Sequence, residues 1–220
     1  MKKYCLLLII SLQILSLAKA QESDFRPRFM IGPTGGVNLS SVIFQPTIQE
    51  KIKLGYDAGI VMRYDVTRFA GVWVEVDYSM RGWKEVNENV PGYEYTRSVS
   101  FVNVPVMTHF MIGSGAVKAT IDAGAHFGYY LGERSNTILP DDGETKGLVT
   151  VHHDTPIQNK FAWGVGGGAG VEYHTGHMVV GVRGSYVYGF GDLFHNTRSD
   201  IFVKSSEQII AAKAYVLYAF

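Results

Sequence analysis

The sequence predicts an all-β protein, an eight-stranded antiparallel transmembrane β-barrel of the outer-membrane type. Three observations predict it. Eight segments alternate apolar and polar residues with a period of two; the polar rows carry glycine and charge of both signs; and short connections alternate with long polar ones. The last residue is aromatic, Phe220, as is common in such barrels.

Residues 1–20 read as an export signal. Lys2 and Lys3 form a positive start, an apolar stretch runs from Cys5 to Leu17, and Ala18-Lys19-Ala20 supplies a small-x-small cleavage site. The apolar stretch is too short for a comfortable membrane-spanning helix. The barrel domain is then 21–220. Loss of the signal's three lysines leaves 17 Lys+Arg against 20 Asp+Glu, which excludes a basic nucleic-acid footprint. The only cysteine, Cys5, leaves with the signal, so the mature chain has no disulfide framework, thiolate metal site or cysteine nucleophile.

The strands follow in order. Segment 29–39 opens the barrel, with Pro33 interrupting its pattern. In 54–65, Leu54, Tyr56, Ala58, Ile60, Met62 and Tyr64 share one face, against Asp57, Arg63 and Asp65 on the other. In 72–81 Val72, Val74, Val76, Tyr78 and Met80 oppose Trp73, Glu75, Asp77, Ser79 and Arg81. Segment 101–112 is interrupted by Pro105 and places Thr108 on its apolar row. In 119–131 the row from Ile121 to Leu131 opposes Asp122, Gly124 and His126. Segment 160–173 sets Phe161, Trp163, Val165 and Val171 against Lys160, four glycines and Glu172. Segment 178–190 opposes Val180, Val182 and Tyr186 to Arg183. The last strand opposes Ile210, Val216 and Tyr218 to Lys213.

No charged residue falls on an apolar row, while the opposite rows hold twelve, six of each sign. A soluble barrel would turn its apolar rows inward. The outer-membrane reading turns them to lipid and the charges to the axis. Aromatics near both ends of the rows, and glycine with balanced charge opposite them, favour the second arrangement. Connections are short around Thr67-Arg68, Gly113-Ser114-Gly115 and Thr175-Gly176. They are long and polar at 40–51, 85–94, 133–158 and 192–206, which assigns the long loops to the outside.

Particular residues also resemble a known family. Ile31-Gly32-Pro33-Thr34-Gly35-Gly36-Val37-Asn38-Leu39-Ser40, Glu75 to Trp83, and Asn103-Val104-Pro105 are similar to the PorT-like outer-membrane β-barrel (porin) family of the Bacteroidota, and the likeness spans nearly the whole mature chain. Asn103 stands where that family carries glutamate. The resemblance implies an eight-stranded barrel, and its namesake is associated with protein secretion across the outer membrane.

An eight-stranded barrel is just wide enough for side chains to fill. Asp57, Arg63, Glu75, Asp77, Arg81, Lys118, Asp122, Glu172, Arg183 and Lys213 are therefore expected to form an interior charge network. Gly164-Val165-Gly166-Gly167-Gly168-Ala169 matches a dinucleotide fingerprint formally, but the period stays at two where that motif needs a strand-to-helix turn. His109, His126, Ser79 and Asp122 are the residue types of a triad, without the spacing that would single them out. His152-His153-Asp154 and Asp141-Asp142-Gly143-Glu144 lack the ligand spacing of a known metal site.

The expectation is a non-enzymatic barrel with no cofactor and no nucleic-acid partner. It meets outer-membrane lipid and another envelope protein through the loops 133–158 and 192–206. The alternatives are a small solute channel and a lipid-modifying enzyme.

Overall fold

The computed structural model describes residues 25–87, 90–139, 153, 155–196 and 202–220. The signal-like segment lies outside them. The strands are β1 (Arg28–Gln45), β2 (Glu50–Lys51), β3 (Lys53–Asp65), β4 (Ala70–Val86), β5 (Glu94–Ile112), β6 (Val117–Ile138), β7 (Phe161–Thr175), β8 (Met178–Asp192) and β9 (Lys204–Ala219). β2 is a two-residue rim ladder, with Glu50 opposite Glu85 and Lys51 opposite Lys84. Each of the eight long strands pairs antiparallel with two neighbours, β1 bonds to both β3 and β9, and the β4–β5 pairing completes the ring. Closure leaves no unpaired strand edge in lipid, the condition for a β-structure to cross a bilayer.

All eight expected segments are strands, but most are longer than the sequence suggests. About 9–11 residues suffice to cross a membrane; β5 has 19 and β6 has 22. The excess lies at the outer end. Segments expected as loop at 40–45, 94 and 133–138 continue β1, β5 and β6, and 204–206 begins β9.

The opposite end turns sharply. Thr175 pairs with Met178, leaving a two-residue hairpin with Gly176 at φ +56°, a left-handed conformation for which glycine carries no steric penalty. Between β3 and β4, the Thr67 hydroxyl accepts from the N–H groups of Phe69 and Ala70, closing that turn locally.

The faces divide as the orientation argument requires. On β3, Leu54 (62 % exposed), Ile60 (54 %) and Tyr64 point outward, while Asp57, Arg63 and Asp65 are buried. β7 and β8 repeat this with Val165, Val171, Val180 and Val182 outside and Glu172 and Arg183 inside. Thr108 faces outward with its row.

The interior is layered. At the end with the short turns, Met30, Val61, Trp73, Met107, Val179, Tyr215, Leu217 and Ala219 form one apolar cluster. At the outer end Val42, Phe44, Trp83, Val99, Phe101, Ile157, Leu193, Phe194 and Phe202 form another. The Phe44 ring lies 4.7 Å from Phe202 and 5.3 Å from Trp83. Charged residues fill the level between and interleave with the inner cluster, where Arg63 and Asp65 lie nearer the short turns than Val61. In the loops 133–158 and 192–206, expected as long polar connections, the described Ile157, Leu193, Phe194 and Phe202 instead fold inward as a lid. Above the bilayer the barrel mouth meets water, and burying these side chains there follows the ordinary hydrophobic rule.

Candidate functional site

The site is the filled lumen, and alternation along each strand builds it. Glu172 on β7 is fully buried and organises the lower level. Arg63 Nη1 lies 2.6 Å from its Oε1 and His174 Nε2 lies 2.9 Å from Oε2. The Tyr215 hydroxyl donates to Oε1 at 2.7 Å, and His109 Nε2 is 3.3 Å from the same oxygen. Arg63 also holds Asp65 at 3.0 Å. Gly181 makes room for this arrangement, since a Cβ there would overlap the Tyr215 ring.

Glu75 on β4 organises the middle level. It receives Lys213 Nζ at 2.6 Å, Arg183 Nη2 at 2.9 Å and the Trp73 indole N–H at 3.3 Å. Lys213 reaches Asp77 at 2.9 Å and Asp57 at 4.0 Å. Asn103 donates to Asp77 and Asn38 donates to Asp57. Asp122 links the two levels, 2.6 Å from His109 Nδ1 and 3.7 Å from Arg183 Nη1. Above them Arg81 bonds Glu207 at 2.9 Å and Asn103 at 3.1 Å, with its guanidinium 3.9 Å over the Phe101 ring.

Nine of the ten expected residues meet in these levels: Asp57, Arg63, Glu75, Asp77, Arg81, Asp122, Glu172, Arg183 and Lys213. Lys118 does not. It is half-buried at the inner mouth and joins no ion pair among the described residues. Lys160 is exposed. Both stand near strand ends, where a long aliphatic arm carries the ammonium toward water.

The expected six-against-six balance is corrected accordingly. Carboxylates Asp57, Asp65, Glu75, Asp77, Asp122, Glu172 and Glu207 face four strong bases, Arg63, Arg81, Arg183 and Lys213. Side-chain donors of Asn38, Trp73, Asn103, His109, His174 and Tyr215 supply further hydrogen bonds. Pairing of this kind is what makes buried charge tolerable, although Asp122 Oδ2, His126 Nε2 and Arg183 Nε are buried without a hydrogen-bond partner among the described residues. Glu207 lies six residues from Lys213 on β9 and is legible through strand phase, whereas Asn38 and Asn103 share their strands with none of the acids or strong bases of the band.

The outer rim has its own polar contacts. Arg97 pairs with Glu133 at 2.7 Å and donates to the Thr155 carbonyl at 2.6 Å. His153 stacks on Tyr95 at 3.6 Å and lies 2.9 Å from Glu85 Oε2. Burial pushes the Glu50 carboxyl up to about 7 against the bond it accepts from the Val42 N–H, and nearby Glu85 adds to the rise. Burial raises the Tyr93 hydroxyl to about 12.

A cavity of about 60 Å³ remains at mid-height, lined by Ser79, Asp77, His126, Arg183, Ser185 and Lys213. That is far below the roughly 300 Å³ at which small-molecule sites begin. His109 touches Asp122, but among the described residues no serine hydroxyl is hydrogen-bonded to His109 or His126. No group of three or more His, Cys, Asp or Glu among the described residues is placed to hold a metal ion. His152, Asp154 and 141–144 lie outside the described residues. Gly164 to Ala169 runs through the middle of β7, paired on both sides, and forms no phosphate-cradling turn.

The outer membrane protein beta-barrel domain family matches residues 19–195. The chain belongs to that family. It resides in the outer membrane, as its fold and family indicate. The outer membrane protein OprG from Pseudomonas aeruginosa has the same fold, with a TM-score of 0.54 at 10 % identity over 88 % of this chain and 95 % of OprG. Neisserial surface protein A gives a TM-score of 0.46 at 14 % identity over 87 % and 97 %. Ail of Yersinia pestis gives 0.41 at 12 % identity over 86 % and 98 %. No curated protein matches the chain.

Proposed function

We propose that this barrel is a non-conducting, non-catalytic element of the cell envelope, and that it acts by presenting its outer rim to another envelope protein. The observation that carries this reading is the three-level filling of the lumen: aromatic lid, charged band and inner apolar cluster. Strands that continue beyond the lipid belt support a raised, rigid rim. Apolar side chains stand exposed on that rim, including Ile52, Leu139 and Val203. The resemblance to the PorT-like family extends the proposal to a role connected with protein secretion, with the described parts of 133–158 and 192–206 as the contact surface.

The test is planar-bilayer recording of the refolded protein beside affinity capture from outer membranes. Silence in the bilayer, with a captured envelope protein lost on replacement of the rim loops, is the expected result. Discrete conductance steps in the native chain would favour the channel reading instead.

A further inference from the structure

The inner mouth differs from the rest of the lumen in that two of its cations, Arg28 and Lys118, join no ion pair among the described residues. A cavity of about 100 Å³ opens there among the short turns, lined by Arg28, Arg68, Lys118 and His174 with Asp65 as its one carboxylate. Asp65 lies across the ladder from Arg28, yet its oxygens turn to Arg63, at 3.0 and 3.2 Å. His174 is directed to Glu172. Arg28 and Lys118 join no ion pair among the described residues. They come from strands on opposite sides of the ring, β1 and β6, so the topology converges two free cations on one concavity. Apolar Met30, Met111 and Val179 complete its walls. The outward aromatics Phe29, Phe69 and Phe220 stand at the same end of the barrel. Such residues mark the membrane–water interface, so the cavity sits at headgroup depth.

The geometry points to a binding site for a phosphate-bearing anion at the periplasmic mouth, held by Arg28 and Lys118. A guanidinium offers paired N–H donors to phosphate oxygens and an ammonium adds a compact charge. The same chemistry is presented by an anionic phospholipid headgroup and by free phosphate.

Two arms separate these sources. Inorganic phosphate is titrated calorimetrically into the detergent-purified full chain. In parallel, the protein is extracted from nanodiscs of equal phosphatidylglycerol and phosphatidylcholine, and retained lipid is read by native mass spectrometry. Saturable phosphate binding identifies the free anion, and selective retention of phosphatidylglycerol without it identifies the headgroup. In either case the Arg28→Ala/Lys118→Ala pair weakens the signal about tenfold or more, as loss of charge-assisted hydrogen bonds requires, while Lys160→Ala leaves it unchanged. Because neither residue is part of the interior network, heat-modifiable gel migration of the variants is expected to stay native. The milder Lys118→Gln provides a second folded variant. Absence of both signals in the native chain overturns the proposal, as does a signal that heat-modifiable variants retain in full.

Discussion

The two mouths of the barrel are closed by different physics. The outer mouth is sealed by packing, with Phe44, Trp83, Phe194 and Phe202 meeting ring against ring above the charged band. The inner mouth narrows over its own apolar cluster but then opens into a cationic cavity. Between them the lumen is held by charge. Apolar packing here serves to exclude water wherever lipid no longer surrounds the wall, while the largest ion-pair network lies in the belt where the outside is already dry, with smaller pairs such as Arg97 and Glu133 at the outer rim.

The largest expected effect comes from the charged band. Glu172→Ala leaves Arg63 buried without its main partner, and removing one member of a buried pair costs about 3–5 kcal/mol. A matching fall in the urea midpoint, followed by heat-modifiable migration, is the expected reading. A change under 1 kcal/mol would show that packing alone holds the lumen.

Phe202→Ala in the lid comes next, at about 3 kcal/mol for a buried phenylalanine. Its signature is local: faster proteolysis of the outer loops, with bilayer recordings still silent because the band below is intact. Ile60→Arg, at the centre of a lipid-facing row, should cost about 2–4 kcal/mol, while Ile138→Arg on the protruding part of β6 should cost close to nothing. Equal costs at the two sites would place the membrane boundary elsewhere. Gly181→Ala, which drives a methyl into the Tyr215 ring, is expected to lose about 1–3 kcal/mol by overpacking.

The smallest effect is at the rim. Folding raises the Glu50 carboxyl to about 7, so the folded state holds that proton more tightly than the unfolded chain does. The associated stability is complete below about pH 4.5 and declines as pH rises through 7. Protection of the 42–52 amides, as exchange corrected for its intrinsic pH dependence, should therefore fall between about pH 4.5 and 7. Glu50→Gln should flatten that dependence.

This division also explains what was legible in the sequence. Inside the belt, lipid enforces one rule, apolar out and polar in, and β3, β4 and β7 announce it residue by residue. Above the belt the rule reverses without any change of strand phase. On β5 the inward positions run His109, Met107, Pro105, Asn103, then Phe101, Val99, Arg97 and Tyr95, largely apolar or aromatic, with Ser98, Thr96 and Glu94 on the outer face. On β1 they pass from Asn38 and Ser40 to Val42 and Phe44. A search for apolar exteriors stops where this inversion begins, so the outer halves read as loop. The charged band was legible because it needs only alternation. Its neutral hydrogen-bond donors and the aromatic lid depend on which strands meet across the axis, and periodicity does not carry that.

One feature of the ring bears on how the protein is made. The seam between β1 and β9 joins the beginning of the barrel wall to its end, from Met30 opposite Ala219 to Gln45 opposite Lys204. Until that seam zips, both strands present unbonded amides to hydrocarbon, each costing several kcal/mol. A wall without β9 would therefore leave β1 and β8 each with an unbonded edge in hydrocarbon.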